Sequence, residues 1–304
     1  MKVLILFFLF LGTQLTYAKY ENVKTYADHV EKLKYRTIDG IKVAYIDEGE
    51  GKPFVLIHGI PTNSWMFRTI IPSLIKKGYR VIAPDLIGMG KSDKVKDEEK
   101  LNVTSQAKMM LRLLKDELKL SSWTHLLHDF GGPITWTMMA DSRFDADELI
   151  ILDTFLFSEG FSPGLNIFTK GFMQLMTSRP IKEIFFTSAI KSMVQDKNIA
   201  NSEMIEGYVE PLVDGGAYTY KCLYFSANKI KKNLSQLQKN ADRFSYLPTK
   251  IIWGKHDKFL DSDIQLNQIK EFFHVNESDV LILDNAKHII TEESPSEILD
   301  FIDN

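Results

Sequence analysis

Short apolar runs of β character alternate with longer helical patterns, and this alternation predicts an α/β fold with a mainly parallel central sheet. Several runs are apolar without interruption, as strands covered on both faces are. The rhythm breaks from residue 157 to 245, where helical spacing rich in Phe and Met carries no convincing apolar strand, and then resumes. Two core segments, 19–156 and 246–304, are therefore expected, with a helical cap at 157–245 inserted after the sixth core strand.

The first residues, "MKVLILFFLFLGTQLTYAKY", stand apart. Lys2 precedes an apolar run from Val3 to Leu11, and Thr16 and Ala18 suit a small-residue cleavage site. Such a run is too short to span a bilayer but fits a signal peptide over residues 1–18, so the protein is expected to be exported, periplasmic or secreted, without stable membrane insertion. A retained N-terminal anchor is the alternative. In order, "KVAYIDEG", "PFVLIHG" and "YRVIAPD" read as strands, the last ending at the loop "DLIGMGKSD". From Ser105 to Leu120 the apolar residues Ala107, Met110, Leu111, Leu114 and Leu118 mark one face of a helix. "THLLHD" and "ELIILD" are further buried strands. After the cap, "PTKIIWGKHD" and "DVLILDNAKH" return to the sheet and "SPSEILDFI" closes the chain as a helix.

Composition narrows the classes of function. The chain has 304 residues, 44% hydrophobic and 25% charged, enough to bury a core without cross-links. Cys222 is the single cysteine, so no disulfide forms within the chain. Loss of residues 1–18 removes one charge, Lys2, and moves the formal net charge from −3 to −4. Basic clusters such as "KIKKN" are short, and no nucleic-acid partner is expected. No metal-ligand spacing and no glycine-rich phosphate loop occurs, so no cofactor is expected. Sequons lie at Asn102, Asn233 and Asn276. The oligomeric state is not readable.

Three ionisable residues fall at the ends of expected strands: Asp129 in "HDFGG", Asp257 in "GKHD" and His288 in "AKH". Their order is nucleophile, acid, histidine, as in α/β hydrolases. Together with "HGIPTNSWMFR" and "APDLIGMGKSDK", these motifs make the chain resemble, over nearly its full length, α/β-hydrolase-fold proteins of the epoxide hydrolase and haloalkane dehalogenase group. The resemblance implies a catalytic set of Asp129, Asp257 and His288. It also implies an oxyanion-hole segment at His58, Gly59, Ile60 and Pro61, with the N–H groups of Ile60 and Phe130 as donors. His58 is read as a supporting residue. Asp153, at the end of the preceding strand, is a supporting residue or a rival acid.

A carboxylate at the corner selects its chemistry. With a reference pKa of about 3.9 it is ionised without help from a base. Attack on an ester would give a reactive anhydride, whereas attack on a saturated carbon gives an alkyl ester. His288, oriented by Asp257, can then activate the water that cleaves that ester. The expected partners are a small apolar electrophile and water. Gly131 and Gly132 suit a tight turn, and Pro133 falls in the first helical turn. Leu127, two before Asp129, stands where such turns usually have a small residue. His125, His128 and His256 are read as structural or ordinary polar residues.

Epoxide and halide make different demands. The resemblance places halide-binding donors at Phe130 and Ile60, which have no side-chain N–H; Trp65 is the one substitute, or else a pocket wall. For an epoxide the matching lid tyrosine is Tyr220, before Lys221, with Tyr208 as a second. Tyr220 can equally belong to an aromatic helix face with Tyr218 and Tyr224. Epoxide hydrolysis to a diol is the expected activity, with dehalogenation or ligand binding without catalysis as alternatives. Phe168, Phe172, Met173 and Met176 suggest an apolar pocket or cap packing.

Overall fold

The computed structural model describes residues 20, 23–156, 179–239, 244, 247–260 and 262–303. Within 202–239 some side chains, those of Tyr220 and Tyr224 among them, fall outside that description, as do the expected signal peptide and residues 157–178 with Phe168, Phe172, Met173 and Met176.

Eight strands form one sheet: β1 Lys34–Ile38, β2 Ile41–Glu48, β3 Lys52–Ile57, β4 Tyr79–Pro84, β5 Trp123–Asp129, β6 Ala146–Thr154, β7 Thr249–Gly254 and β8 Val280–Leu283. Their spatial order is β1-β2-β4-β3-β5-β6-β7-β8. β2 runs antiparallel to β1 and β4, and every later pair is parallel. The central runs are apolar throughout because both faces are covered. Val55 and Ile57 enter one core while Phe54 and Leu56 enter the other, the period of two that a pleated strand imposes. β1 went unread in the sequence: four of the five residues of "KYRTI" are exposed, so it offers no apolar run.

Nine α-helices of the described residues are used below: α1 Tyr26–Lys32, α2 Ile71–Lys76, α3 Val103–Leu111, α4 Gly131–Met139, α5 Arg179–Ser192, α6 Ser202–Lys239, α7 Ser262–Phe273, α8 Ile290–Glu293 and α9 Pro295–Asp303. Asn102 caps α3, its side chain accepting from the N–H groups of Thr104 and Ser105. Asn102 is buried, a poor acceptor for a glycan. The single helix expected over 105–120 passes instead from α3 into a π turn at Arg112–Glu117, with Leu113 and Leu114 both buried. Near the chain start, buried Tyr20 shares a hydrogen bond with His29 Nδ1 at 2.8 Å.

Between β6 and β7 in sequence lie α5 and the 38-residue α6. Cys222 and Ile230 of α6 join the core cluster that contains α3 and α4. Ser226 Oγ accepts from Val103 N–H at 2.8 Å, and Asn233 Nδ2 donates to Thr104 and Thr137 Oγ1 at 3.0 Å each. Pro211 lies inside this helix. Lacking an N–H, it leaves the carbonyl four residues earlier, that of Gly207, without its helical donor. Asn63 Nδ2 fills the vacancy at 3.0 Å. A Cβ on Gly207 would come within 2.3 Å of Trp65 Nε1, so only glycine lets the helix sit this close. Among the described residues no helix is long and apolar enough to cross a membrane.

Candidate active site

β5 ends in a sharp corner. Asp129 has φ +50°, in the left-handed region, and α4 starts two residues later. That conformation costs a non-glycine residue roughly 1–2 kcal/mol and persists where neighbours fix it. Here Thr154 Oγ1 donates to the Asp129 carbonyl at 2.5 Å and Ile60 N–H donates to Asp129 Oδ1 at 2.7 Å. The glycines around the corner are sterically required. A Cβ at Gly59 would lie 2.4 Å from Asp129 Oδ1, one at Gly131 2.6 Å from the Ile57 carbonyl oxygen, and one at Gly132 2.0 Å from Thr154 Oγ1. Leu127 does not disturb the turn. It pairs with Ile57 and Ile151 in the sheet and is buried in the core cluster.

The loop after β8 brings His288 to this corner. Its Nε2 lies 3.5 Å from Asp129 Oδ2, and its Nδ1 lies 2.8 Å from Asp257 Oδ2. Asp257 Oδ1 accepts from the N–H groups of Phe259 at 2.7 Å and Leu260 at 3.4 Å. The three side chains that share an order in the sequence thus form one chain of contacts. Asp153 lies close by but does not reach the imidazole: its Oδ1 accepts from Gly254 N–H at 2.8 Å, and its buried Oδ2 has no hydrogen-bond partner among the described residues.

Charge is distributed unevenly over these groups. Burial works against the His288 imidazolium, yet Asp257 and Asp129 outweigh it and hold the pKa well above the usual histidine value. Burial likewise works against ionised Asp129, but His288, His128 and the Ile60 N–H together pull its carboxyl below the usual range. Asp153 goes the other way. Burial, reinforced by the charge of Asp257, pushes it well above a normal carboxylate.

Three buried histidines, His58, His128 and His125, are neutral fixtures. Leu86 N–H donates to His58 Nε2 at 3.0 Å, so His58 Nδ1–H donates to the Gly59 carbonyl at 2.8 Å and the ring ties the ends of β3 and β4 together. Its pKa is lowered by burial. His128 Nε2–H donates to the His288 carbonyl at 2.8 Å, and burial takes its pKa down to about 4. His125 joins Trp123 Nε1 and Thr135 Oγ1 inside the core, its pKa driven to about 3 by burial. His256 is exposed.

Two side chains considered for the leaving group are engaged elsewhere. Trp65 donates Nε1–H to the Met204 carbonyl at 3.3 Å and stacks under Arg68, 4.1 Å from its ring, so it is a wall between α6 and the core. The Tyr208 hydroxyl donates to Glu292 Oε1 at 2.7 Å, and Glu292 is ion-paired with Arg68 in a buried cluster. Tyr220 sits on α6, with its side chain outside the described residues. Contacts with no signature in the sequence run between residues 193–196 and 287–293: both His288 and Ile289 donate their N–H to the Met193 carbonyl, at 3.1 and 3.2 Å. Among the described residues no three His, Cys, Asp or Glu side chains are grouped to hold a metal ion.

With strand order, corner and histidine loop in place, residues 52–166 match the model of the alpha/beta hydrolase fold family. The chain has the α/β-hydrolase fold. A solved alpha/beta hydrolase fold protein from Burkholderia ambifaria superposes with a TM-score of 0.73 at 21% identity, covering 88% of this chain and 96% of that one. A haloalkane dehalogenase of Mycobacterium marinum is 36% identical over 146 residues, 46% of this chain and 48% of its own length. A soluble epoxide hydrolase of Corynebacterium sp. is 26% identical over 287 residues, 86% of this chain and 93% of its own. The matched part spans about half the length of the first curated relatives, at 48% and 47%.

Proposed function

We propose that the protein is a hydrolase in which Asp129 attacks an electrophilic carbon and His288 releases the resulting ester, with an epoxide as the favoured substrate. One observation carries this reading: the corner carboxylate has its Oδ1 on the Ile60 N–H while its Oδ2 faces His288. Oδ2 forms the bond to carbon as the ring C–O bond breaks, and the alkoxide takes a proton from an acid, for which Tyr220 is the proposed donor. Oδ1 remains as the ester carbonyl oxygen. Water, deprotonated by His288, adds to that carbonyl; the oxyanion is held by the Ile60 and Phe130 N–H groups, and collapse expels the diol oxygen, which takes the proton from the imidazolium, while the new carboxyl passes its own proton back to His288. Alkylation removes the Asp129 charge, one of the two that keep His288 protonated. The proton that the imidazolium then gives up returns to the phenolate left by ring opening, and the neutral imidazole is free to act as the base.

A second reading, cleavage of a carbon–halogen bond, is supported by the identity to a haloalkane dehalogenase. The site argues for the epoxide, because Ile60 and Phe130 offer a departing halide no side-chain N–H and the Trp65 indole is committed to Met204. Styrene oxide and 1,2-dibromoethane, assayed side by side for diol and bromide, separate the two. A His288→Gln protein is expected to accumulate an Asp129 ester visible in its intact mass, and Asp129→Ala to lose turnover. Full activity in Asp129→Ala would end the proposal. Export with loss of residues 1–18 is a companion proposal, tested by whether the N-terminus of protein recovered outside the cytoplasm begins at Lys19.

A further inference from the structure

The backbone of His288 is gripped on two sides. From the sheet, His128 Nε2–H donates to its carbonyl. From the opposite side comes the segment joining α5 to α6. Its Met193 carbonyl accepts the N–H groups of His288 and Ile289 at 3.1 and 3.2 Å. The Glu293 carboxylate then gathers three N–H groups: Oε1 accepts from Gln195 at 2.5 Å and Asp196 at 3.2 Å, and Oε2 from Lys287 at 2.7 Å. Carboxylate–N–H bonds are charge-assisted and among the stronger ones available. One side chain thus staples the inserted helical region to the loop that carries the imidazole.

Asp129 is held by other means, through the β5 backbone, Thr154 and Ile60, and none of the groups on Glu293 touches those. We propose that Glu293 is a positioning residue that sets His288 through the 193–196 segment, so that release of the aspartyl ester depends on it while formation of the ester does not. This rests on the aspartyl-ester reading above. The physical basis is the sensitivity of proton transfer to placement: the imidazole must meet both a water and the ester carbonyl, whereas the attacking carboxylate is anchored through its backbone in β5 and through Oδ1 on the Ile60 N–H.

The test is a rapid-quench experiment with styrene oxide, in which intact mass follows the ester with time in Glu293→Gln and Glu293→Ala. Gln195→Pro, which removes the shortest N–H from the cap side and leaves the carboxylate in place, serves if the Glu293 variants fold poorly. Ester formation is expected within about twofold of the unaltered protein, with ester loss slowed about tenfold to a hundredfold, so that ester accumulates. Equal slowing of both phases, or of neither, overturns the proposal while an ester trapped in His288→Gln leaves the parent reading standing. No ester even in His288→Gln overturns both.

Discussion

The ends of β6 and β7 carry the same residue in opposite electrostatic conditions. Asp257 lies in a loop that turns two N–H groups onto Oδ1 and offers Oδ2 to an imidazole. Among the described residues Asp153, one strand away, receives a single N–H and keeps a buried oxygen without a partner. Burial of the Asp153 carboxyl, beside the charge of Asp257 and with one N–H to offset it, favours the neutral acid. Position at a strand end therefore does not decide which carboxyl serves a histidine.

Asp257→Asn breaks that comparison most severely. An amide presents its N–H or a weaker acceptor to His288 Nδ1, leaving the imidazole in the wrong tautomer, and ester hydrolysis is expected to fall about 10³–10⁴-fold in single-turnover assays. Asp153→Asn should change the same rate by no more than about threefold, since the isosteric amide can still accept from Gly254. If the two effects were reversed, Asp153 would be the working acid after all.

Stability against pH sharpens the same contrast. A buried acid whose folded pKa is raised binds more protons folded than unfolded, so its contribution worsens as pH rises above the unfolded value near 3.8 until the folded group ionises. Asp153→Asn removes that loss. Its melting temperature relative to the unaltered protein should climb from acid toward neutral pH; a flat difference would show that Asp153 is ionised in the fold. The smallest effect is expected from Tyr208→Phe. Removing the hydroxyl on Glu292 should cost about 1–2 kcal/mol in denaturant unfolding and leave turnover unchanged. A large loss of turnover would restore Tyr208 as a proton donor.

What could be read from the sequence was local. Continuous apolar runs located the buried strands, and the run ending at Asp129 followed by two glycines located the corner. The order of Asp129, Asp257 and His288 named side chains that the structure joins through the imidazole, 3.5 Å from one carboxylate and 2.8 Å from the other. Distant pairings were not legible. Nothing near Met193 or Glu293 signals that they meet the loop at 288, and nothing in "GYVEP" tells that the Tyr208 hydroxyl is spoken for by Glu292. Asp257, preferred to Asp153 on motif order, is the carboxylate whose Oδ2 lies 2.8 Å from His288 Nδ1. β1 escaped because an exposed edge strand has no apolar signature.

Pro211 carries a lesson for anyone seeking to toughen this protein. Judged by helix propensity alone, alanine there looks like an improvement of roughly 3 kcal/mol. In the folded molecule the proline is what keeps the Gly207 oxygen available to Asn63. Alanine would let the helix reclaim its own carbonyl and compete with that handhold, so a stiffer rod and a looser grip would arrive in a single substitution.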